Sequence, residues 1–97
     1  MTMMFTPSQL RAARALLDWT RNDCAKLTGL SPETVKNIEH GIFAPTQTTI
    51  DKIMNAFSNH GVEFFTLHSS TTHYGVTMKA EKTDDQEAEE QETQQHN

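Results

Sequence analysis

Apolar residues in the first sixty positions recur at intervals of three and four, the spacing of one face of an α-helix. The spacing is clearest in two stretches, at Leu10, Ala13 and Leu17 and at Ile50, Ile53, Met54 and Phe57. A single core shared by several amphipathic helices accounts for it. The pattern predicts four helices, over residues 7–18, 21–28, 32–40 and 47–60.

Capping residues support the start of each predicted helix. An apolar residue precedes a Thr or Ser, and a second apolar residue follows four positions after it, which is the arrangement of a hydrophobic staple. The predicted N-caps are Thr6, Thr20, Ser31 and Thr46. Helix ends are expected at Gly29, Gly41 and Gly61, because glycine readily adopts the left-handed conformation that closes a helix.

The pattern changes after Gly61. Val62 to Phe65 are mostly apolar, residues 66–72 are polar, and Tyr74 to Met78 alternate, which predicts two short strands. An isolated hairpin is only marginally stable in water. We therefore expect residues 62–78 to form a short β-extension that packs on the helices or pairs with a second copy of the chain as a dimerisation element.

The segment RNDCAKLTGLSPETVKNI, residues 21–38, predicts two short helices joined by a tight turn at Gly29. Ala25 is small where the two helices approach each other. Leu30, Val35 and Ile38 lie on the inner face of the second helix. In such a unit the second helix projects outward and is free to enter a DNA major groove.

Here the sequence resembles a known family. LTGLSPETVKNIEHG, preceded by TPSQLRAARALLDWTRNDCAK, is similar to the lambda-repressor-like, or Xre-type, helix-turn-helix regulators over roughly residues 5–61. The resemblance implies an all-α domain of four to five helices at residues 1–61, which binds double-stranded DNA through its third helix. It further implies a homodimer on an inverted-repeat operator and a role as a transcriptional regulator, with repression as the expected direction.

Three residues are implied as base contacts by their position in that resemblance: Glu33, Thr34 and Asn37. Their chemistry suits the task, since Asn bonds adenine N6 and N7, Thr contacts a thymine methyl, and Glu accepts from cytosine N4. Asn37 and Thr34 are the leading candidates. For Glu33, a favourable interaction with the dipole of its own helix is an equally good explanation.

Phosphate contacts are expected at the N-termini of the second and fourth helices, where backbone and side-chain donors are available. Lysine and histidine side chains elsewhere on the second and third helices are plausible additions. The predicted set is Thr20, Arg21, Asn22, Lys26, Lys36, His40, Thr46 and Thr48. Arg21 leads it, and the backbone N–H groups of residues 20–22 are expected to be free. An exposed lysine is as often only solvated. The resemblance also implies a structural pair between Arg14 and Glu39, which ties the first helix to the end of the third.

Charge adds a qualification. The 97 residues carry a net charge of -5, although Lys and Arg supply most of the affinity of proteins for DNA. The deficit lies in residues 79–97, which contain seven acids and two lysines and are predicted to form an acidic disordered tail. The tail has two interpretations: it solubilises the protein, or it has a specific role, in which it competes with DNA for the basic face or recruits a protein partner.

Other classes are disfavoured. A lone Cys24, no apolar run near the ~18 residues that span a bilayer, and no export signal favour the cytoplasm and no membrane. The histidines lack metal-ligand spacing and no catalytic motif occurs, so we expect neither an enzyme nor a metal or cofactor. Cys24 is expected in the core.

Two alternatives stay open. The chain is either a regulator as above, or a protein-interaction module of the antitoxin or anti-repressor type with secondary DNA binding. Ile42 and Phe43 either cover the fourth helix or contact a partner.

Overall fold

The computed structural model describes residues 5–80. Four helices come first: α1 (Pro7–Leu16), α2 (Arg21–Thr28), α3 (Pro32–Glu39) and α4 (Gln47–Ser58). An antiparallel pair of strands follows, β1 (Val62–His68) and β2 (Thr72–Met78). Helices followed by a hairpin were the expected order, and this prediction is confirmed. Of the predicted acidic tail, residues 81–97 lie outside the described residues.

Each helix begins at its predicted cap. The side-chain oxygens of Thr6, Thr20, Ser31 and Thr46 each accept the backbone N–H of the residue three positions on. At Thr6 and Thr20 the third residue also bonds back, which completes a capping box. Local sequence therefore determines where all four helices start.

The C-terminal ends of the helices agree less closely with the prediction. Helices α1, α3 and α4 stop one or two residues before their predicted limits. In α1 the cause is Asp18, whose φ of 55° is left-handed. The chain turns there, and Trp19 N donates to Arg14 O at 3.0 Å. Aspartate tolerates this conformation far less readily than glycine, so the sequence carried no signal for the turn.

Gly29 forms the turn between α2 and α3. Its φ is 79°, and both Gly29 N and Leu30 N donate to Ala25 O at 3.0 Å. A side chain at this position would be strained in this backbone conformation rather than blocked by neighbours. The other two predicted helix-ending glycines also have positive φ.

One core joins all six elements. Its fully buried members come from every helix and from β1: Leu10, Ala13, Cys24, Ala25, Val35, Ile38, Ile53, Phe57 and Val62. The Trp19 ring lies 4.7 Å from that of Phe57, centroid to centroid. Cys24 is in this core as predicted, and burial raises the pKa of its thiol to about 11.

The hairpin is longer than predicted. Its register runs from Val62 opposite Met78 to His68 opposite Thr72, so only residues 69–71 form the loop. Only part of the polar stretch 66–72 is loop, because Thr66 and His68 belong to β1 and pair with Tyr74 and Thr72 of β2. Phe64 anchors β1 against the helices, with its ring 5.6 Å from both Phe57 and Phe5.

Gln9 connects α1 to the hairpin. Its amide Nε2 donates to the carbonyl oxygens of Phe65 and Gly75, both at 3.0 Å, while its Oε1 accepts from Thr6 N at 2.9 Å. The side chain is buried. One amide therefore completes the cap of the first helix and satisfies two strand carbonyls.

A buried carboxylate fixes the end of α3. Glu39 has 0% of its surface exposed and accepts from Arg14 Nε at 2.7 Å and from Arg21 Nε at 3.0 Å. Arg14 comes from α1 and Arg21 from α2. Burial raises the pKa of Glu39, but the hydrogen bonds from the two arginines outweigh it, so the pKa lies below its usual value. We call these three residues the Glu39 cluster.

Replacing Gln9 should weaken the whole fold. Gln9→Ala leaves the carbonyls of Phe65 and Gly75 without this donor and breaks the capping box, so the free energy of unfolding should fall by about 2–3 kcal/mol. Chemical denaturation followed by circular dichroism measures it. The control is Gln47→Ala, which removes an exposed bond to Asp51 and should cost less than about 0.5 kcal/mol. Equal losses would contradict the anchoring role of Gln9.

Removing the charge of Glu39 should destabilise the protein in a pH-dependent way. Glu39→Gln should cost about 2–3 kcal/mol at neutral pH, less than a fully buried pair because both guanidinium groups reach solvent. A carboxylate with a lowered pKa stabilises the fold above its unfolded pKa of about 4.3. That contribution disappears as pH falls through the folded pKa.

Denaturation curves at a series of pH values test this. The difference between the wild type and Glu39→Gln should be full near neutrality and shrink below about pH 4. Glu63→Gln is the control, because Glu63 is exposed and bonds only Ser58 Oγ, at 2.7 Å. A difference that stays constant down to low pH would show that the charge of Glu39 is not what stabilises the fold.

Candidate nucleic-acid interface

The side of α3 that faces away from the core is polar. Glu33 and Lys36 are exposed, Thr34 and Asn37 are half-buried, and Val35 and Ile38 pack inward. Positions 33, 36, 37 and 40 follow one another along one helix face. None of the residues predicted to contact bases is sealed beneath another part of the described chain.

Asn37 and Thr34 differ in how many of their hydrogen-bonding groups are already used within the protein. Within residues 5–80 the Asn37 side-chain amide has no hydrogen-bond partner, so both its donor and its acceptor are available. Thr34 belongs to the cap of α3, since its N–H donates to Ser31 Oγ at 3.0 Å and its hydroxyl lies 2.8 Å from the same oxygen. Its methyl group takes no part in those bonds. Glu33 is in the first turn, as the helix-dipole explanation also requires.

Arg21 has a second role that the sequence did not indicate. Besides its bond to Glu39, its Nη2 donates to His40 Nε2 at 3.2 Å. The guanidinium group therefore joins the start of α2 to the end of α3. Two of its nitrogens are occupied, which leaves Nη1 and the outward N–H of Nη2 for an external anion.

The N-terminus of α2 offers fewer free donors than expected. Thr20 N donates to Asp23 Oδ2 at 2.9 Å, and Asp23 N donates to Thr20 Oγ1 at 3.0 Å. The bond from the Thr20 backbone lowers the pKa of Asp23, so a carboxylate charge stands at this end of the helix. The backbone N–H groups of Arg21 and Asn22 remain without an acceptor in the described part of the chain.

The remaining predicted phosphate contacts are spread over three helices. Lys26 and Lys36 are exposed in the last turns of α2 and α3, and His40 follows α3. Thr46 caps α4 through its bond from Thr49 N, at 3.2 Å, and Thr48 is exposed in the first turn. Between positions 5 and 80, no hydrogen bond or ion pair joins these two threonines to the other residues of the set.

The side chains between α3 and α4 are too exposed for the interpretation in which Ile42 and Phe43 cover the fourth helix. Ile42 is 65% exposed and Phe43 is 43% exposed, so neither covers α4 as a core lid. Phe43 instead lines a shallow apolar groove with Phe5, Pro7 and Ile38. A short loop with left-handed Gly41 holds both side chains at the surface.

The described residues contain neither a candidate metal site nor a candidate membrane-spanning helix. No three His, Cys, Asp or Glu side chains between positions 5 and 80 are grouped so as to hold a metal ion. In the same stretch, none of the helices has the length and apolar character that crossing a bilayer requires.

Comparison with known proteins agrees with this geometry. The family model HTH_3, described as helix-turn-helix, matches residues 10–64. That range begins in α1, contains α2, α3 and α4, and ends in β1. A comparison with curated proteins finds no match. Because the family match takes in more than half of the chain, the chain belongs to the HTH_3 family of Xre-type, lambda-repressor-like helix-turn-helix DNA-binding regulators.

Proposed function

We propose that this protein is a sequence-specific transcriptional regulator, a repressor, which binds an inverted-repeat operator in the cytoplasm as a homodimer. One observation carries the proposal. The core side of α3 is fixed through the Glu39 cluster, while its outer side presents an unpartnered Asn37 amide. A rigid helix with free hydrogen-bonding groups is what reading base edges requires.

Base recognition is assigned to three residues of α3. Asn37 bonds adenine through N6 and N7, and the Thr34 methyl contacts a thymine methyl. Glu33 accepts a hydrogen bond from cytosine N4 where the operator has a cytosine at the contacted position. Asn37 is central, because its half-buried amide needs no internal bond to be broken before it binds DNA.

Phosphate contacts are assigned to groups around α3. Lys26 and Lys36 supply charge, and the N-terminus of α2 supplies the backbone N–H groups of Arg21 and Asn22. The outward N–H groups of the Arg21 side chain add a contact. The set is completed by the hydroxyl groups of Thr20, Thr46 and Thr48 and by the ring N–H of His40.

Few cations and the nearby acids Asp23 and Glu33 make the electrostatic part of binding weak. Selectivity then depends on base reading and on two copies binding together. In the dimer, residues 62–78 join the two helix-turn-helix units, residues 1–61, so that the two α3 helices enter successive major grooves about 34 Å apart. A dimer so placed over a promoter obstructs polymerase.

A protein-interaction module of the antitoxin or anti-repressor type is the second candidate. The near balance of charge around α3 favours it, since a module with secondary DNA binding needs little electrostatic affinity. Its partner would bind through the hairpin or the acidic tail. Equimolar co-purification of another protein, lost on deletion of residues 62–97, would favour this candidate.

Selection of bound fragments from random DNA duplexes tests the proposed function directly. The full chain should enrich an inverted repeat whose half-sites are about one helical turn apart, centre to centre. Failure to enrich any sequence at low salt would contradict the proposal and leave the interaction module as the explanation.

Substitutions at two neighbouring residues of α3 should change binding to the selected operator in different ways. Asn37→Ala should relax the preference at one base pair per half-site by about 1–3 kcal/mol, because a bidentate contact is lost. Lys36→Ala, the matched control, should weaken binding to all sequences alike and reduce the salt slope by about one. Binding titrations against single-base operator variants at several salt concentrations measure both effects. Uniform weakening by Asn37→Ala would show that Asn37 does not read a base.

A further inference from the structure

Beyond Glu63, the surface of the hairpin carries no Lys, Arg, Asp or Glu. Such residues make up 22% of the whole chain but are absent from Phe64 to Met78. The same stretch exposes large apolar side chains, with Leu67 at 57%, Tyr74 at 42% and Met78 at 46%. Exposed apolar groups without charge are the composition of an interface core rather than of a solvated surface.

One edge of this hairpin has no protection against pairing. The sheet has two strands, so within the described residues β2 has only β1 as a neighbour. Exposed edges are usually blocked by a charged side chain, a proline or a bulge. The sequence of β2, THYGVTM, contains no proline or charged residue, and its register with β1 is continuous.

The strand is held in a fixed position before any partner arrives. Gln9 bonds the carbonyls of Phe65 and Gly75 from the helix side. On the other side the Phe65 ring covers Gly75 so closely that a Cβ there would overlap it. A pre-organised edge loses little conformational entropy when it pairs.

We propose that β2 pairs antiparallel with β2 of a second copy about Gly75, which makes one four-stranded sheet from two hairpins. Gly75 is the middle residue of β2, so this register uses the full strand. It places Tyr74 opposite Val76 of the second copy, an aromatic and β-branched pair of the kind that stabilises sheets. His73 stands opposite Thr77 of the second copy.

Charge favours a second copy over a different protein. A two-fold interface pairs the strand with an identical strand, so a strand with charge of one sign near the axis would meet like charge there. β2 avoids this penalty because it has no formal charge. An acidic or basic partner would find no complementary charge on the same strand.

The position of the hairpin is compatible with DNA binding. The strands pack mainly on α1 and α4, whereas α3 packs mainly on α1 and α2. Pairing through β2 therefore leaves the polar side of α3 free. The inference rests on the proposed function, which requires a dimer, and it specifies the surface that forms that dimer.

Lysine substitutions on the edge test the pairing. Tyr74→Lys and Thr77→Lys each place charge near the two-fold axis and should weaken dimerisation by about tenfold or more. The control is Thr71→Lys, which adds the same charge in the exposed loop outside the strand. Light scattering of purified full-length protein without DNA gives the mass, and circular dichroism shows that each variant folds. A monomeric wild type, or variants as dimeric as the control, would overturn the proposal.

Cross-linking tests the register. Mixed His73→Cys and Thr77→Cys proteins should form a disulfide-linked dimer under mild oxidation, more than either variant alone. Native Cys24 is buried with a raised pKa and should not compete. A wild-type dimer that enriches an operator but does not give this cross-link would overturn the pairing and leave the proposed function standing. A dimer with the expected cross-link that enriches no DNA would overturn the function and leave the pairing.

Discussion

The carboxylate of Glu39 is the constraint on which the arrangement of the helices depends. It is the one fully buried charge in the described part of the chain, and an uncompensated charge in a protein interior is strongly unfavourable. Compensation comes from two helices at once, through Arg14 on α1 and Arg21 on α2. The carboxylate is satisfied only when α1, α2 and the end of α3 occupy one relative arrangement, and that arrangement sets the direction in which α3 projects.

This arrangement changes the electrostatics of the surface around α3. Arg21 is a proposed phosphate contact, and two of its N–H groups are already directed at Glu39 and His40. With Asp23 and Glu33 nearby, the surface has little excess positive charge. The same arginine that orients α3 therefore has fewer free N–H groups for an external anion.

Much of the fold was predictable because its signals are local. A capping hydroxyl, its apolar neighbours and a closing glycine lie within a few residues of one another, and all four helix starts follow from them. Asp18 ends α1 without such a signal. The bond between Arg21 and Glu39 joins residues 18 apart, and those from Gln9 to the strands span 56 and 66 positions. Periodicity does not encode such pairings, although a glutamine on an otherwise apolar helix face is a sign of one.

Gln9 has a consequence for how the protein is made. Its amide completes the cap of α1 and at the same time holds β1 and β2, so the beginning and the end of the described chain stabilise each other. During synthesis the chain emerges from its N-terminus, and β2 leaves the ribosome long after α1. Until then the Gln9 amide lacks the carbonyl of Gly75 as an acceptor, and Val62 lacks Met78, the residue with which it pairs in β2. The nascent helices therefore reach their final stability only after β2 has left the ribosome.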